Sequence, residues 1–173
     1  DMEQGYRAIN PANIYISATP FETELVERIQ RMDEVAEAEG YRALRVRVRV
    51  GADKWKPLDL KAVPDIETMS INQVKLQSGV WPPAERELVV DHHKFEELNA
   101  QPGDLLEIEL PSGKIRRLRL VGVVQDQSVG ATVPGGFFVA PAQGYITMDT
   151  LEWLEQPRRL NRLLVTVKNN GDD

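Results

Sequence analysis

Histidine and cysteine are the side chains that most often supply acid–base, nucleophilic or metal chemistry, and this 173-residue chain has two histidines and no cysteine. The histidines, His92 and His93, are adjacent, and adjacent side chains on a helix diverge by about 100°, so they do not converge on one ion. Without cysteine, only carboxylates such as Asp91 and Glu96 could complete a zinc site. The sequence therefore favours exposed polar residues at the start of a helix over a metal or catalytic site.

Other catalytic motifs are missing too. None of the five serines lies in a G-x-S-x-G elbow. Gly130 and Gly135 have the spacing of a phosphate-binding loop, but Gly136 and Phe137 stand where that loop has lysine and a hydroxyl residue. The abundant carboxylates leave a small hydrolase with paired carboxylates open as an alternative, although most of them fall on faces that the pattern predicts to be solvated. We expect no catalytic residue, no cofactor and no metal.

Two groups of arginines could bind an anion: Arg42, Arg45, Arg47 and Arg49, and Arg116, Arg117 and Arg119. The second group belongs to a predicted hairpin, in which any even register places Glu107 and Glu109 on the face of Arg117 and Arg119. The first group alternates with apolar residues and indicates the solvated face of a half-buried strand. With 21 basic and 27 acidic residues the formal net charge is −6, which argues against a general nucleic-acid binder.

Phe137 and Phe138 lie in a segment, residues 130–144, that holds four glycines and two prolines. The pair either folds back onto the core, the simpler interpretation, or projects as a partner-binding tip. Trp81, which precedes two prolines, leaves the same two alternatives. These three aromatic residues are the candidate site residues, and we expect residues 130–144 to be mobile or to protrude.

The elements that position these residues begin with a strand, a helix and a strand. Residues 13–17 alternate apolar and polar side chains, and Thr19, Pro20 and Glu22 then have the pattern of a helix start with a capping box. Propensity alone would extend the helix through Glu39, with Gly40 as its cap. The alternation favours a helix that ends near residues 32–33 and a strand with period two from Val35 to residue 50, with Gly40 as a bulge.

The rest of the chain is rich in short strands. They are predicted at residues 58–63, 87–90, 105–110, 115–124, 145–148 and 163–168. A helix at residues 92–99 is expected to be capped by Asp91, and one at residues 150–155 by Asp149. Residues 105–124 form the predicted hairpin, with its turn at residues 111–113.

Composition and order together indicate an α+β fold. The chain is 42% hydrophobic and 28% charged, as in a folded globular domain, and no stretch approaches the roughly 18–20 apolar residues of a membrane helix. Strand–helix–strand pieces at both ends, with strands between them, predict that the first and last pieces share one sheet. Because the chain opens with Asp1 and has no signal peptide, we expect a processed or excised piece of a longer protein.

The order of these elements resembles the extracytoplasmic domain of MacB/FtsX-type ABC transporter permeases. The motifs are Glu87-Leu-Val-Val-Asp91, a short helix with Leu98, Gln101-Pro-Gly-Asp104, a Ser-Gly turn and Leu120-Val-Gly-Val-Val124. The resemblance covers roughly residues 12–168. It implies a porter-like subdomain, residues 12–76 plus 145–168, that is interrupted by a β-rich, Sabre-like insert at residues 77–144. The segment at 130–144 matches nothing in the family pattern.

The resemblance implies a function without catalysis. Such a domain lies outside the cell membrane between two membrane helices of a permease and couples ATP hydrolysis in the cytoplasm to export or to conformational work, called mechanotransmission. The implied partners are a cytoplasmic ABC ATPase, a second permease copy and an external protein or cargo, with no nucleic acid. The two chain ends should then be neighbours. A stand-alone extracytoplasmic ligand-binding, peptide-binding or adaptor module stays open as the alternative.

Overall fold

The computed structural model describes residues 14–66, 74–125 and 140–168. Strands dominate this part of the chain, in the order β1 Ile14–Phe21, β2 Val35–Gly51, β3 Lys54–Val63, β4 Lys75–Gly79, β5 Glu87–Asp91, β6 Leu105–Glu109, β7 Ile115–Gln125, β8 Ala142–Thr147 and β9 Leu160–Val167. The helices are short: α1 Thr23–Gln30, α2 Met148–Trp153 and a single 3-10 turn at Phe95–Leu98. The fold is therefore α+β, with the sheet as its main component.

A three-stranded terminal sheet has the order β1-β9-β2 and joins the first and last pieces of the chain, as the sequence predicts. β1 and β9 are antiparallel, and Ile14 pairs with Val165. The first half of β2 pairs with the other side of β9. Helix α1 covers one face of this sheet, where Val26 and Ile29 pack on Ala38 and Leu163.

Six strands close into a barrel, in the order β2-β3-β8-β5-β7-β6, because β6 pairs with both β7 and β2. The second half of β2 belongs to this barrel, where Leu44 to Val50 alternate buried and exposed side chains. The β3–β8 and β5–β7 pairs are parallel, and the other pairs of the ring are antiparallel. Because the ring is closed, each of the six strands pairs with a neighbour on both sides. Strand β4 lies outside the ring and pairs with the last residues of β7.

We call the end of the barrel that adjoins the terminal sheet the near end; there β8 leads into α2. At the opposite end, the far end, β5 and β7 end and β8 begins. Leu98 of the 3-10 turn follows β5, and Leu151 of α2 follows β8, which runs antiparallel to β5. Both leucines belong to the cluster of aliphatic side chains that fills the barrel. The apolar core is thus closed at both ends by short helical segments.

The first helix differs from its prediction at its start. β1 continues through Phe21, and α1 begins at Thr23, with Glu22 at the N-cap position and no side-chain cap. Pairing with β9, which resumes at Phe21 opposite Leu160 after a register shift, holds the Thr19-Pro20 segment in the strand. The helix ends at Gln30, two residues before the predicted end, and the predicted start of β2 at Val35 is confirmed.

Three further expectations need correction. The register of β2 against β9 shifts between Val35 and Glu37 and not at Gly40, which pairs regularly with Leu163. The predicted helix at 92–99 is only the 3-10 turn Phe95–Leu98, because its two flanking residues have left-handed backbone angles. The cap of α2 is Thr147, whose Oγ1 accepts a hydrogen bond from the Thr150 amide at 3.1 Å.

Candidate partner-binding surfaces

Two of the three predicted site residues, Phe137 and Phe138, lie outside the described residues. The predicted mobile segment, residues 130–144, falls there as well, except for its last five residues. Of those, Ala140 is buried and residues 142–144 belong to β8, so this end of the segment is part of the barrel.

Trp81 is half-buried on the outside of the barrel. Its ring meets the Tyr145 ring edge-on, with centroids 5.4 Å apart and an interplanar angle of 84°. It packs on a small apolar cluster that contains Val89 and Val124, and the peptide bond to Pro82 is cis. Trp81 therefore has a packing role, and part of its surface is left accessible to a partner.

The far end of the barrel carries both attachment points of residues 126–139. β7 ends beside the carboxyl end of β5, where Val124 pairs with Asp91, and β8 begins beside the same strand, where Gly144 pairs with Val90. The Asp91 carboxylate is buried and accepts a hydrogen bond from the His93 amide at 2.7 Å. The segment that contains Phe137 and Phe138 thus connects two fixed points at this end.

The terminal sheet brings the two ends of the described chain together. Ile14 and Val165 are neighbours, whereas Phe21 and Leu160, at the other ends of β1 and β9, contact the barrel core. The expectation that the first and last strands are antiparallel neighbours is confirmed. A further tie, which the sequence analysis missed, is the Tyr15 hydroxyl, 3.1 Å from both the Tyr41 hydroxyl and the Arg162 Nε.

The barrel exposes one row of arginines on β2, and each arginine meets a carboxylate of a neighbouring strand. Arg45 pairs with Asp59 at 2.8 Å, Arg47 with Glu109 at 2.9 Å, and Arg49 with Glu107 at 3.0 Å. The hydrogen bond from Arg45 to Asp59, together with their charge attraction, raises the pKa of Arg45 above its ordinary value. The prediction of a solvated, half-buried strand is confirmed.

The hairpin has the predicted even register, in which Glu107 lies opposite Arg117 and Leu105 opposite Arg119. Arg117 reaches Glu107 at 3.7 Å, a carboxylate that Arg49 already engages. Arg119 donates to the Gly103 carbonyl at 2.6 Å. The pairing of β6 with β2, which brings Glu107 and Glu109 to the arginine row, has no local signal in the sequence.

A groove of about 340 Å³ lies between α1, β2 and the end of β3. Its floor is mainly aliphatic, with Val26, Ala38, Val63 and Leu160.

Among residues 14–66, 74–125 and 140–168, no group of three or more histidines, aspartates and glutamates is placed to hold a metal ion. Within the same residues, no helix has the length and hydropathy of a membrane span.

No family model and no curated protein matches the sequence. The fold, however, is similar to that of two solved structures. One is the extracellular domain of the ABC-type transporter YknZ from Gram-positive bacteria, with a TM-score of 0.62 and 10% identity over 90% of this chain and 83% of that chain. The other is the periplasmic region of MacB from Actinobacillus actinomycetemcomitans, with a TM-score of 0.54 and 12% identity over 92% and 75% of the two chains. The resemblance predicted from the order of elements is thereby confirmed for the fold.

Proposed function

We propose that this chain is the extracytoplasmic domain of an ABC transporter permease, and that it couples ATP hydrolysis in the cytoplasm to export or conformational work outside the membrane. The observation that carries the proposal is the antiparallel pairing of β1 and β9, which directs both ends of the described chain away from the barrel at one pole. A domain inserted between two membrane helices needs this arrangement. The similar folds of the YknZ and MacB domains support the same assignment.

The partners follow from this assignment. A cytoplasmic ABC ATPase supplies the energy, a second permease copy completes a dimer, and an external protein or cargo receives the movement. The domain itself breaks no bonds. In the proposed division, residues 12–76 and 145–168 form one discontinuous subdomain, which carries the chain ends, and residues 77–144 form the β-rich insert.

Phe137 and Phe138 are proposed to contact the external partner, with Trp81 as a further contact. The attachment points of residues 126–139 lie at the far end of the barrel, remote from the paired chain ends. On a tethered domain this end is the one that reaches farthest from the membrane. The two adjacent aromatic residues in the segment between these attachment points would supply the apolar anchor that protein interfaces commonly use.

The topology can be tested by thiol labelling of the complete permease in intact cells. The chain has no cysteine, so Ser112→Cys at the tip of the β6–β7 hairpin would place a single exposed thiol in this domain. A maleimide reagent that does not cross membranes should label it without lysis. Labelling only after lysis would contradict an extracytoplasmic location, and a complete chain without flanking membrane helices would favour the stand-alone module.

Coupling needs a separate measurement. In the reconstituted permease–ATPase complex, spin labels on the same cysteine should change their separation between the two copies when ATP is added. A catalytically inactive ATPase is the control. Distances that do not respond to ATP, in a complex that hydrolyses it, would contradict transmission through this domain.

A further inference from the structure

One part of the outer face of the barrel, on strands β2, β3, β6 and β7, carries more arginines than carboxylates although the protein is acidic. We call this surface the arginine face and define it by five arginines and three carboxylates of strands β2, β3, β6 and β7: Arg45, Arg47, Arg49, Arg117, Arg119, Asp59, Glu107 and Glu109. Its formal charge is +2, whereas the whole chain has a formal charge of −6. The rest of the molecule is therefore more acidic than the arginine face, which forms a positive region on a negatively charged protein.

The excess has a structural origin. Glu107 is shared between Arg49 and Arg117, at 3.0 Å and 3.7 Å. Arg119 makes no ion pair within the described part of the chain and donates to the Gly103 carbonyl. Glu87, its neighbour on β5, accepts a hydrogen bond from the Ala84 amide. The side chains of Arg45 and Arg117 are 65% and 68% exposed, so the ion pairs are solvated and contribute little to stability. Their guanidinium groups retain donors for a second carboxylate.

Apolar and aromatic groups complete the surface. Leu105 is 52% exposed and lies opposite Arg119, next to the excess charge. Trp55 stacks with Arg47, whose guanidinium carbon lies 5.6 Å from the ring centroid. A shallow groove of about 370 Å³ is lined by Arg49, Gly51, Leu105, Glu107 and Arg117. Arginine and tryptophan are enriched, and lysine is depleted, in the centres of protein interfaces.

We propose that the arginine face is a docking surface for an acidic protein segment, which places its carboxylates on Arg117 and Arg119 and an apolar side chain on Leu105. Protein carboxylates fit better than nucleic acid or lipid phosphates, because the face holds three carboxylates of its own among the arginines. A long polyanion would meet those charges as repulsion. The proposed transport function does not use these charges.

The surface spans a few strands only, so the interaction should be weak and should depend on salt. A patch on one face of these four strands is smaller than the surface that stable complexes bury on each partner. Its exposed charges are screened at physiological ionic strength. We therefore expect an affinity that falls steeply as salt is added, and a contribution to the rate of encounter as well.

The test is a titration of the isotope-labelled domain with a short peptide in which one leucine is flanked by two glutamates on each side, followed by amide NMR at low and at physiological salt. The expected shifts are confined to β2, β6 and β7 around the arginine face. The double variant Arg117→Gln/Arg119→Gln should bind about five- to tenfold more weakly at low salt, since two exposed charge contacts are lost. Glu107→Gln should bind more tightly, because it removes a competing carboxylate.

The matched control is Arg158→Gln/Arg159→Gln, which changes the net charge by the same amount at exposed arginines paired with Asp149, Glu152 and Glu22. Its affinity should equal that of the wild type, and all variants should retain the amide spectrum of the folded chain. Equal weakening by both double variants would overturn the proposal, since binding would then follow net charge alone. Shifts of the arginine face with phosphatidylglycerol vesicles but not with the peptide would overturn it in favour of a membrane contact.

Discussion

Gly40 lies where α1, the terminal sheet and the barrel core meet. A Cβ at this position would lie 2.7 Å from the Leu160 Cδ1 and 2.9 Å from the Val26 Cγ2. Gly40→Ala should therefore destabilise the chain by about 1–3 kcal/mol, because both side chains must move. Urea denaturation measures the loss, and Gly51→Ala is the control, since its Cβ would meet only Lys54 at 3.6 Å and should change stability by less than about 0.5 kcal/mol. Equal stability of Gly40→Ala and the wild type would show that Leu160 and Val26 can move aside without cost and that the junction is less tightly packed than these distances indicate.

Glu155 is an exposed carboxylate with two cationic neighbours. The hydrogen bond from Lys114, aided by the charges of Lys114 and Arg116, lowers the pKa of Glu155. A lowered pKa in the folded state means that the stabilisation is complete above the ordinary pKa of glutamate and is lost as the pH falls through the folded value. The melting temperature of wild type should exceed that of Glu155→Gln slightly at neutral pH, and the difference should vanish in acid.

The matched control for this pH dependence is Glu85→Gln. Glu85 is also exposed, and it has no ion pair among the described residues. Because no ion pair is lost, its substitution should lower the melting temperature at neutral pH by less than Glu155→Gln does. A Glu155→Gln difference that persists at low pH would assign the effect to packing.

Thr147 and Asp149 are the two candidate caps at the start of α2, and substitutions distinguish between them. Thr147→Ala removes the oxygen that accepts from the Thr150 amide and contacts the buried Thr150 hydroxyl at 3.0 Å. The loss should be about 1–2 kcal/mol by thermal or urea unfolding. Asp149→Ala removes only an exposed pair with Arg158 and should cost less than about 1 kcal/mol. The reverse order of the two costs would restore Asp149 as the cap.

Periodicity predicts the strands of this chain better than capping motifs predict its helices. The alternation from Leu44 to Val50 and the even register of the hairpin are local patterns, and the structure confirms both. The capping motif at Thr19 and Pro20 is overridden because β9 pairs with β1 as far as Phe21. The residues that flank the 3-10 turn, Lys94 and Asn99, have positive φ angles of 60° and 50°, which propensity does not foresee.

The candidate surfaces were predictable in part. Their residue types are evident in the sequence, and the even register already brings Glu107 opposite Arg117. The pairing of β6 with β2 is different, because it joins residues about 60 positions apart and depends on closure of the barrel. The shared use of Glu107, and with it the excess charge of the arginine face, follows only from that closure.

In local unfolding of the molecule, the terminal sheet should open before the barrel. β1 is an edge strand whose side chains are exposed from Ile14 to Pro20, whereas β3 and β8 are strands of the closed barrel and are paired on both sides. Hydrogen–deuterium exchange followed by mass spectrometry should show faster exchange in β1 than in β3 and β8. Equal protection of the three strands would indicate one cooperative unit that includes the chain ends.

Strand β2 is 17 residues long and belongs to both sheets. Its pairing passes from β9, at Tyr41, to β3, at Arg42, without an unpaired residue between them. At about 3.3 Å per residue, one covalent backbone extends roughly 55 Å from beside the chain ends to the tip of the barrel. Paired residues continue along β2 from Glu37 to Arg49, so the terminal sheet and the barrel are joined by one hydrogen-bonded strand and not by a free linker.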